Sequence, residues 1–318
     1  MSNILMTCGK ILIGDLMKNE VLNLMIDGFS LRDIAFKTSL SLDEVYDLAC
    51  KYNFKRTVLD SGDLVFEKHD FKTNTVNLKL SSNNFKAMLI SDLHFGNFLQ
   101  NLDYLYLVYD FCIDNDIHVI INGGDLIDGI FTKGRQAIMD PFEQVSFALE
   151  NYPYDERIIN LICLGNHDYD VFDLTGLDVQ GEINKRFDLI SFGYGFGIIN
   201  IQNDQIIVKH PISINDFIKP LNKLILEGHR HKMCFGVRKD DFTVSLPTLS
   251  DLCFKGHVPG AVLMSLDFDK GFITNGLFKH FMVTNKLSLV SEARFDFFFS
   301  RSFINEDIVR RKIKKIPS

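Results

Sequence analysis

Apolar and polar positions follow two rhythms along this chain, and the change comes near Phe85. Before it, Val21, Leu22, Leu24 and Met25, then Ile34, Ala35 and Leu40, then Val45 and Leu48, recur at helical spacing. Asp27-Gly28 breaks the first run. Ser30 with Asp33, and Ser41 with Glu44, place a hydroxyl three residues ahead of an acid. That pattern lets a cap side chain and the backbone satisfy one another at a helix start. Three short helices are therefore expected between Val21 and Tyr52. Thr57-Val58-Leu59 and Leu64-Val65-Phe66 flank Asp60-Ser61-Gly62-Asp63, a hairpin signal. From Phe85 onward, strands alternate with helices. Phe85 to Ile90, Val119 to Ile121 and Ile158 to Leu164 read as buried strands, with helices over Leu102 to Cys112 and Met139 to Leu149. Later stretches alternate on a two-residue period: Ile198 to Ile201, Ile206 to Lys209, Phe242 to Leu246, Val262 to Phe268 and Phe272 to Phe278. Asn203-Asp204 and Asp269-Lys270-Gly271 supply turns.

Composition narrows the class without naming a chemistry. The 318 residues allow one large domain or two smaller ones, and 46% hydrophobic with 24% charged residues suits a globular protein with an ample core. A net charge of −7 exerts no general pull on nucleic acid or anionic lipid. No apolar run approaches the roughly 18 residues of a membrane helix. Lys10 and Asp15 interrupt the first stretch, which lacks the basic start of a signal peptide. Cys8, Cys50, Cys112, Cys163, Cys234 and Cys253 are scattered without a Cys-x-x-Cys, the usage of reduced thiols. A cytoplasmic protein is the expectation.

The candidate chemistry lies where strands end, which is where open α/β sheets collect ligands. The first buried strand runs into Asp92-Leu93-His94, the second into Gly124-Asp125-Leu126-Ile127-Asp128, the third into Gly165-Asn166-His167-Asp168. A carboxylate with an imidazole suits a divalent metal. Each motif alone has a plain reading, since Gly-Asp begins many turns and Asp-x-His fits an exposed loop. Three successive strand ends carrying such motifs do not. Lys209-His210-Pro211 and Gly228-His229-Arg230-His231 follow.

Together these motifs resemble the full set of the calcineurin-like metallophosphoesterase superfamily, over roughly Phe85 to Val283. The resemblance implies a four-layer α/β/β/α fold, a β-sandwich flanked by helices with a two-metal site at the strand ends. The later alternating stretches then form the second sheet. It assigns one metal to Asp92, His94, Asp125 and His231, and the other to Asp125, Asn166, His210 and His229, with Asp125 bridging. Mixed oxygen and imidazole donors suit Mn²⁺ first, with Fe, Zn²⁺ or Ni²⁺ as alternatives, rather than Ca²⁺. Two such ions can hold a shared hydroxide as nucleophile and clamp the phosphate. His167 then protonates the leaving oxygen, with Asp168 orienting it or tuning it electrostatically, and Asp128 has a supporting role. His69, His118, His257 and His280 match no motif, although His257 lies in a glycine-flanked loop that can approach the site.

The segment Leu31 to Leu48 resembles a helix-turn-helix, with Ser39 where Gly is usual, and the hairpin after it could be the wing of a winged helix. The organisation expected is therefore 1–80 as a helix-turn-helix or winged-helix-like domain, 81–285 as the phosphoesterase domain, and 286–318 as a Phe-rich, basic extension. Ser41, Asp43, Glu44, Tyr46 and Asp47 occupy the start and exposed face of the would-be recognition helix. Carboxylates repel phosphates there, and only Lys51, Lys55 and Arg56 at the far end could attract them. A docking or oligomerisation module is favoured over a nucleic-acid contact.

Gly129 stands where protein phosphatases of the superfamily carry Arg, and Asp168 where they carry Glu, which disfavours that branch. Lipid A-pathway hydrolases usually lack the His found here as His167. The opening Ser91-Asp92-Leu93-His94-Phe95-Gly96 resembles the nuclease and small-phosphodiesterase branches. Lys133 and Arg135, and more weakly Arg230, are candidates for a substrate phosphate against the plainer reading of solvated charges. Phe295, Phe297, Phe298, Phe299 and Phe303 precede Arg310, Arg311, Lys312, Lys314 and Lys315. Aromatics with basic residues can bind nucleic-acid strands, though such a helix more often packs on the body. The expectation is a metal-dependent phosphohydrolase for a phosphodiester, nucleic acid or nucleotide, with no membrane partner. The alternatives are a phosphomonoesterase, or a DNA-binding regulatory or scaffold protein whose metal site is secondary.

Overall fold

The computed structural model describes residues 17–52, 54–68, 74–130, 134–212, 223–238, 241–253 and 257–297. Its first helices are α1 (17–26), α2 (Leu31–Thr38) and α3 (Leu42–Lys51). The cap signals act as read. Ser30 Oγ accepts the Asp33 N–H, while Ser41 and Glu44 bond reciprocally, Glu44 N to Ser41 Oγ at 3.2 Å and Ser41 N to Glu44 Oε2 at 2.8 Å. Ser39 takes the left-handed conformation between α2 and α3.

Next come β1 (Phe54–Leu59), β2 (Leu64–Lys68), β3 (Thr75–Lys79) and β4 (Asn84–Ile90). The body continues with α4 (Leu102–Asp114), β5 (Val119–Asn122), α5 (Pro141–Asn151), β6 (Ile159–Leu164), α6 (Asn166–Thr175), α7 (Val179–Ile183) and β7 (Leu189–Tyr194). The last strands are β8 (Phe196–Ile201), β9 (Asp204–Lys209), β10 (Leu224–Glu227), β11 (Cys234–Arg238), β12 (Asp241–Ser245), β13 (Gly260–Asp269), β14 (Phe272–Val283) and β15 (Leu287–Asp296). They form a seven-stranded sheet, β15-β14-β13-β4-β5-β6-β7, and an eight-stranded sheet, β11-β12-β10-β9-β8-β3-β1-β2. Two sheets and their helices give the mixed α/β sandwich that was expected.

Period-two alternation divides each central strand between two cores. Phe85, Ala87 and Leu89 of β4 join Ile199, Val208, Leu226 and Val244 between the sheets. Met88 and Ile90 face the other way, against Leu105 and Val108 of α4, Val145 of α5 and Val171 of α6. β4, β5 and β6 run parallel, and so do β9, β10 and β12 in the other sheet. The carboxyl ends of these two parallel sets meet at one edge of the sandwich, and this positions the site.

Three expectations need correction. The hairpin β1–β2 is no wing, because β1 pairs in parallel with β3 and β3 with β8, so it completes the eight-stranded sheet. The apolar side chains of 17–80, from Val21 and Met25 to Leu78, share one core with the rest. β13 and β14 lie in the seven-stranded sheet, not the second one, since β13 pairs with β4. And 286–318 is no simple appendage: β15 pairs along β14, and Phe295 and Phe297 are buried among Phe242 and Phe278. Phe298, Phe299, Phe303, Arg310, Arg311, Lys312, Lys314 and Lys315 lie outside the described residues.

The helices α1 to α3 pack on the β1–β2 end of the sheet and are tied to the body. Tyr46 Oη donates to Asn184 O at 3.0 Å, Arg56 bonds Tyr46 Oη, and Arg32 donates to the carbonyls of Gly62 and Glu156. Tyr46, expected on the exposed face of α3, is 1% exposed. Asp43, Glu44 and Asp47 are exposed as read. No helix among the described residues is long and apolar enough to cross a membrane.

Candidate metal centre

Beyond the ends of β4 and β5 the two chains stay zipped together. Asp92 N donates to Gly124 O, His94 N to Asp125 O and Phe95 N to Leu126 O, at 2.8, 3.1 and 2.9 Å. Within this ladder Asp92, His94 and Asp125 take φ of 56°, 49° and 51°. His229 and His231, on the loop after β10, take 75° and 52°. Left-handed backbone costs an L-residue roughly 1–2 kcal/mol, and such strain gathers at functional sites. Here it turns successive side chains toward one point. Gly124 and Gly165 make the room, since a Cβ at Gly124 would overlap the His210 ring and one at Gly165 the Asp125 carboxylate.

Three groups of donors result, one of them His94 with Asp128 and His167. Asp92, His94 and His231 offer atoms within 4.8 Å of one another, and so do Asp125, His210 and His229. Asp125 lies between them. Its Oδ1 accepts the His167 N–H at 3.0 Å, leaving Oδ2 facing His210 Nε2 at 3.1 Å and His94 Nε2 at 3.8 Å. Asn166 Oδ1 is 3.0 Å from His229 Nδ1.

The protonation pattern tests whether these residues fit a cation. His210 Nδ1 faces Gly123 O at 2.7 Å and His231 Nδ1 faces Leu252 O at 2.7 Å. Carbonyls only accept, so each Nδ1 carries the proton and each Nε2 presents a lone pair in the neutral ring. Yet His210 Nε2 is buried without a hydrogen-bond partner, facing a carboxylate. His231 Nε2 faces Asp92 Oδ1 at 3.1 Å and His94 Nε2 at 3.3 Å. Acceptors turned on acceptors require a proton or a metal ion between them. Mixed carboxylate, amide and imidazole donors suit a transition-metal ion.

The electrostatics agree. Burial lowers the His210 ring, but the charge and hydrogen bond of Asp125, the Asp92 charge and the Gly123 carbonyl together outweigh it and lift the ring to about 9. Burial works to raise Asp125 and Asp92, but the His210, His167 and His94 rings together outweigh it at Asp125, as the His231 and His210 rings do at Asp92, and both carboxyls stay below the usual range. His229 is lowered by burial and then by His210.

His167 opens α6. Its Nδ1 donates to Asp128 O at 2.6 Å, so Nε2 is the end turned to the cluster, 3.9 Å from Asp125 Oδ2. Burial lowers this ring, and the Asp125 charge, the Asp128 carbonyl and the charges of Asp128 and Asp168 together more than reverse it. Among the described residues, no hydrogen bond joins Asp168 to this ring. The Asp168 carboxylate instead accepts the N–H groups of Gly165, Leu126 and Ile127 at 2.8, 3.1 and 3.0 Å, which caps α6 and clasps the Asp125 loop. Burial, then the Asp125 charge, push this carboxyl up to about 7 against those three donors. Its charge is only a lesser contributor to the lift of His167. Asp128 orients by both its ends: its carbonyl holds His167, and its Oδ1 accepts from Asn97 and lies 3.5 Å from His94 Nδ1.

The remaining candidates stand apart. Lys133 lies outside the described residues. Arg135 is exposed, its carbonyl accepting from Phe98 N. Arg230 is 3.6 Å from Glu227 with its side chain half exposed. Three supporting residues went unread in the sequence. Asn97 steadies Asp128, and the buried hydroxyls of Thr248 and Ser250 donate to Asp92 O at 2.7 and 3.2 Å, holding its strained backbone. Thr248 and Ser250 sit more than 150 residues from Asp92, so no local pattern reveals them.

The sequence model of calcineurin-like phosphoesterases matches residues 85–264, more than half of the chain. Among solved structures, Yfce, a phosphoesterase from E. coli, is 15% identical with a TM-score of 0.43, covering 66% of this chain and 98% of its own. Vps29 from Cryptosporidium parvum is 15% identical with a TM-score of 0.41, covering 68% and 100%. A novel archaeal phosphodiesterase is 12% identical with a TM-score of 0.34, covering 63% and 100%. No curated protein matches.

Proposed function

Since the chain belongs to the calcineurin-like phosphoesterase family, we propose that it is a metal-dependent phosphohydrolase whose substrate is a phosphodiester, of the nucleic-acid or nucleotide kind. The observation that carries this reading is the set of lone pairs turned on one another around Asp125 Oδ2. Asp92, His94, Asp125 and His231 would hold one divalent ion; Asp125, Asn166, His210 and His229 the other. Mn²⁺ is the first choice for this donor set, with Fe, Zn²⁺ and Ni²⁺ behind it. Bound there, such ions supply Lewis acidity toward the phosphoryl oxygens and a nucleophile from water at neutral pH.

The chain's own groups do the rest. Asp125 Oδ1, fixed by the His167 N–H, keeps Oδ2 turned to both groups of donors. The strained loops hold the donors before any ligand arrives, so little reorganisation is left for the reaction. His167, with Nδ1–H engaged by Asp128 O, presents Nε2 to the leaving oxygen and gives it a proton as the P–O bond breaks. Among the described residues, the charges acting most strongly on Asp92, Asp125, His167, His210 and His231 come from other Asp and His side chains, with no Lys or Arg among them. A diester, with one negative charge fewer than a monoester, suits such a site better.

The test is a metal-by-substrate screen with bis-(p-nitrophenyl) phosphate, p-nitrophenyl phosphate, single- and double-stranded DNA, RNA and cyclic nucleotides. Mn²⁺-dependent diester hydrolysis is expected, falling by about three orders of magnitude or more in Asp125→Asn and His210→Ala. Turnover retained in both variants would sink the site assignment, and a preference for the monoester would replace the substrate class.

A further inference from the structure

Gln144 lies in the first half of α5 and is wholly buried, yet its amide is spent on a loop of the site. Its Oε1 accepts the Gly129 N–H at 2.9 Å, and its Nε2 donates to Gly129 O at 2.9 Å and Ile138 O at 2.8 Å. The Gly129 N–H belongs to the same peptide group as the Asp128 carbonyl, and that carbonyl accepts from His167 Nδ1. A peptide group is planar and rigid. Gln144 Oε1 and His167 Nδ1 therefore hold opposite sides of one plate, and a tilt that loosens one bond loosens the other. The stem of Gln144 is itself confined, because a Cβ at Gly96 would meet its Cγ at 2.6 Å. Gly129 sits at φ 69°, where a Cβ would meet His167 O at 2.9 Å, so the plate and the His167 backbone are in close contact.

We infer that Gln144 is a positioning residue for His167. It fixes the plane of the Asp128–Gly129 peptide, and through it the tautomer and direction of the imidazole. With Nδ1–H tied to Asp128 O, the proton given up is the one on Nε2. It passes to the leaving oxygen as the P–O bond breaks with its electron pair on that oxygen, and the ring ends neutral. The inference rests on the reading of His167 as proton donor.

The experiment compares full-length Mn²⁺-loaded wild type, Gln144→Met, Gln144→Glu and His167→Ala under single-turnover conditions. The substrates are aryl phosphoesters, of whichever ester class is turned over, with leaving phenols from p-nitrophenol to phenol. p-Nitrophenolate leaves without help, whereas phenolate needs a proton. Gln144→Met keeps stem length and loses both polar ends. It is expected to lose less than about 3-fold on the p-nitrophenyl ester and about 30-fold or more on the phenyl ester, within the span of general-acid catalysis. KM and the metal content by mass spectrometry should stay at wild-type values. Gln144→Glu keeps the acceptor and should fall between, and it carries the test if the Met variant fails to fold. His167→Ala must show the same steepened dependence. If its loss is the same for every leaving group, the proton-donor reading falls and this inference with it. A steepened His167→Ala beside uniform loss, or lost metal, in the Gln144 variants overturns the inference alone.

Discussion

His210 shows how much of this site is decided by single atoms. Its Nδ1 is committed to Gly123 O, while its Nε2 faces Asp125 Oδ2 at 3.1 Å. Burial disfavours the charged ring, Asp125, Asp92 and the Gly123 carbonyl together more than compensate, and the ring is lifted to about 9. In the metal-free protein the folded ring thus binds its second proton more tightly than the unfolded one. The stabilisation this gives is whole below pH 6.5, the ordinary value, and disappears as pH rises toward 9. A metal ion needs the same lone pair, so at pH 7 its binding must expel that proton. Calorimetric titration with Mn²⁺ in buffers of different ionisation enthalpy should report proton release that shrinks in His210→Ala, with affinity rising between pH 6.5 and 9. Heats that do not change with buffer would contradict this. The donors themselves were legible in the sequence because each sits beside the end of an apolar run. The duties of Asp168 and Asn97 were not. Asp168 bonds to Leu126 and Ile127, over 40 residues away, and a carboxylate three residues into a helix looks alike whether it caps or catalyses.

At the scale of elements, the pieces and the two-sheet architecture match the sequence reading, while the sheet to which some strands belong does not. The three helices, the hairpin and the central strands lie where spacing and caps put them. What local pattern cannot state is the partner of a strand. Alternation in Thr75 to Lys79 permits a strand but does not say that β3 pairs with β1 on one side and β8 on the other. That pairing turns a presumed wing into sheet, and it changes an expectation about truncation. A chain starting at residue 81 loses β1, β2 and β3, leaving β8 as an edge with unpaired backbone and the faces of Ile199 and Ile201 short of cover. Such edges invite aggregation. Size-exclusion chromatography and circular dichroism of that fragment should show aggregated or unfolded material, and a folded, metal-binding 81–318 would refute the topology argument. The same packing bears on DNA. α3 spends Tyr46 on the body and shows Asp43, Glu44 and Asp47 outward, the wrong charge for a phosphate backbone.

For the whole molecule, the division of donors between sheets matters most. Asp92, His94, Asp125 and Asn166 follow β4, β5 and β6, while His210, His229 and His231 follow β9 and β10. A bound ion would therefore fasten one sheet to the other. Ligand that binds only the folded state stabilises by about 4 kcal/mol at a thousandfold excess over Kd. For a chain of this size that corresponds to a rise in Tm on the order of 10 °C. Scanning calorimetry with Mn²⁺ and with EDTA should show the difference in wild type and lose it in Asp125→Asn. Equal midpoints in wild type would mean that the ions do not span the sandwich.

The donors contributed by β9 and β10 also come later in the chain than β4 to β7 of the seven-stranded sheet. A growing polypeptide that has completed only β4 to β6 owns half a set of ligands and no means of closing it. Metal uptake then waits for synthesis past His231 and for the docking of one sheet on the other. Acquisition of an ion by these donors would then be a quality check on assembly, available only to molecules whose two halves have already found each other.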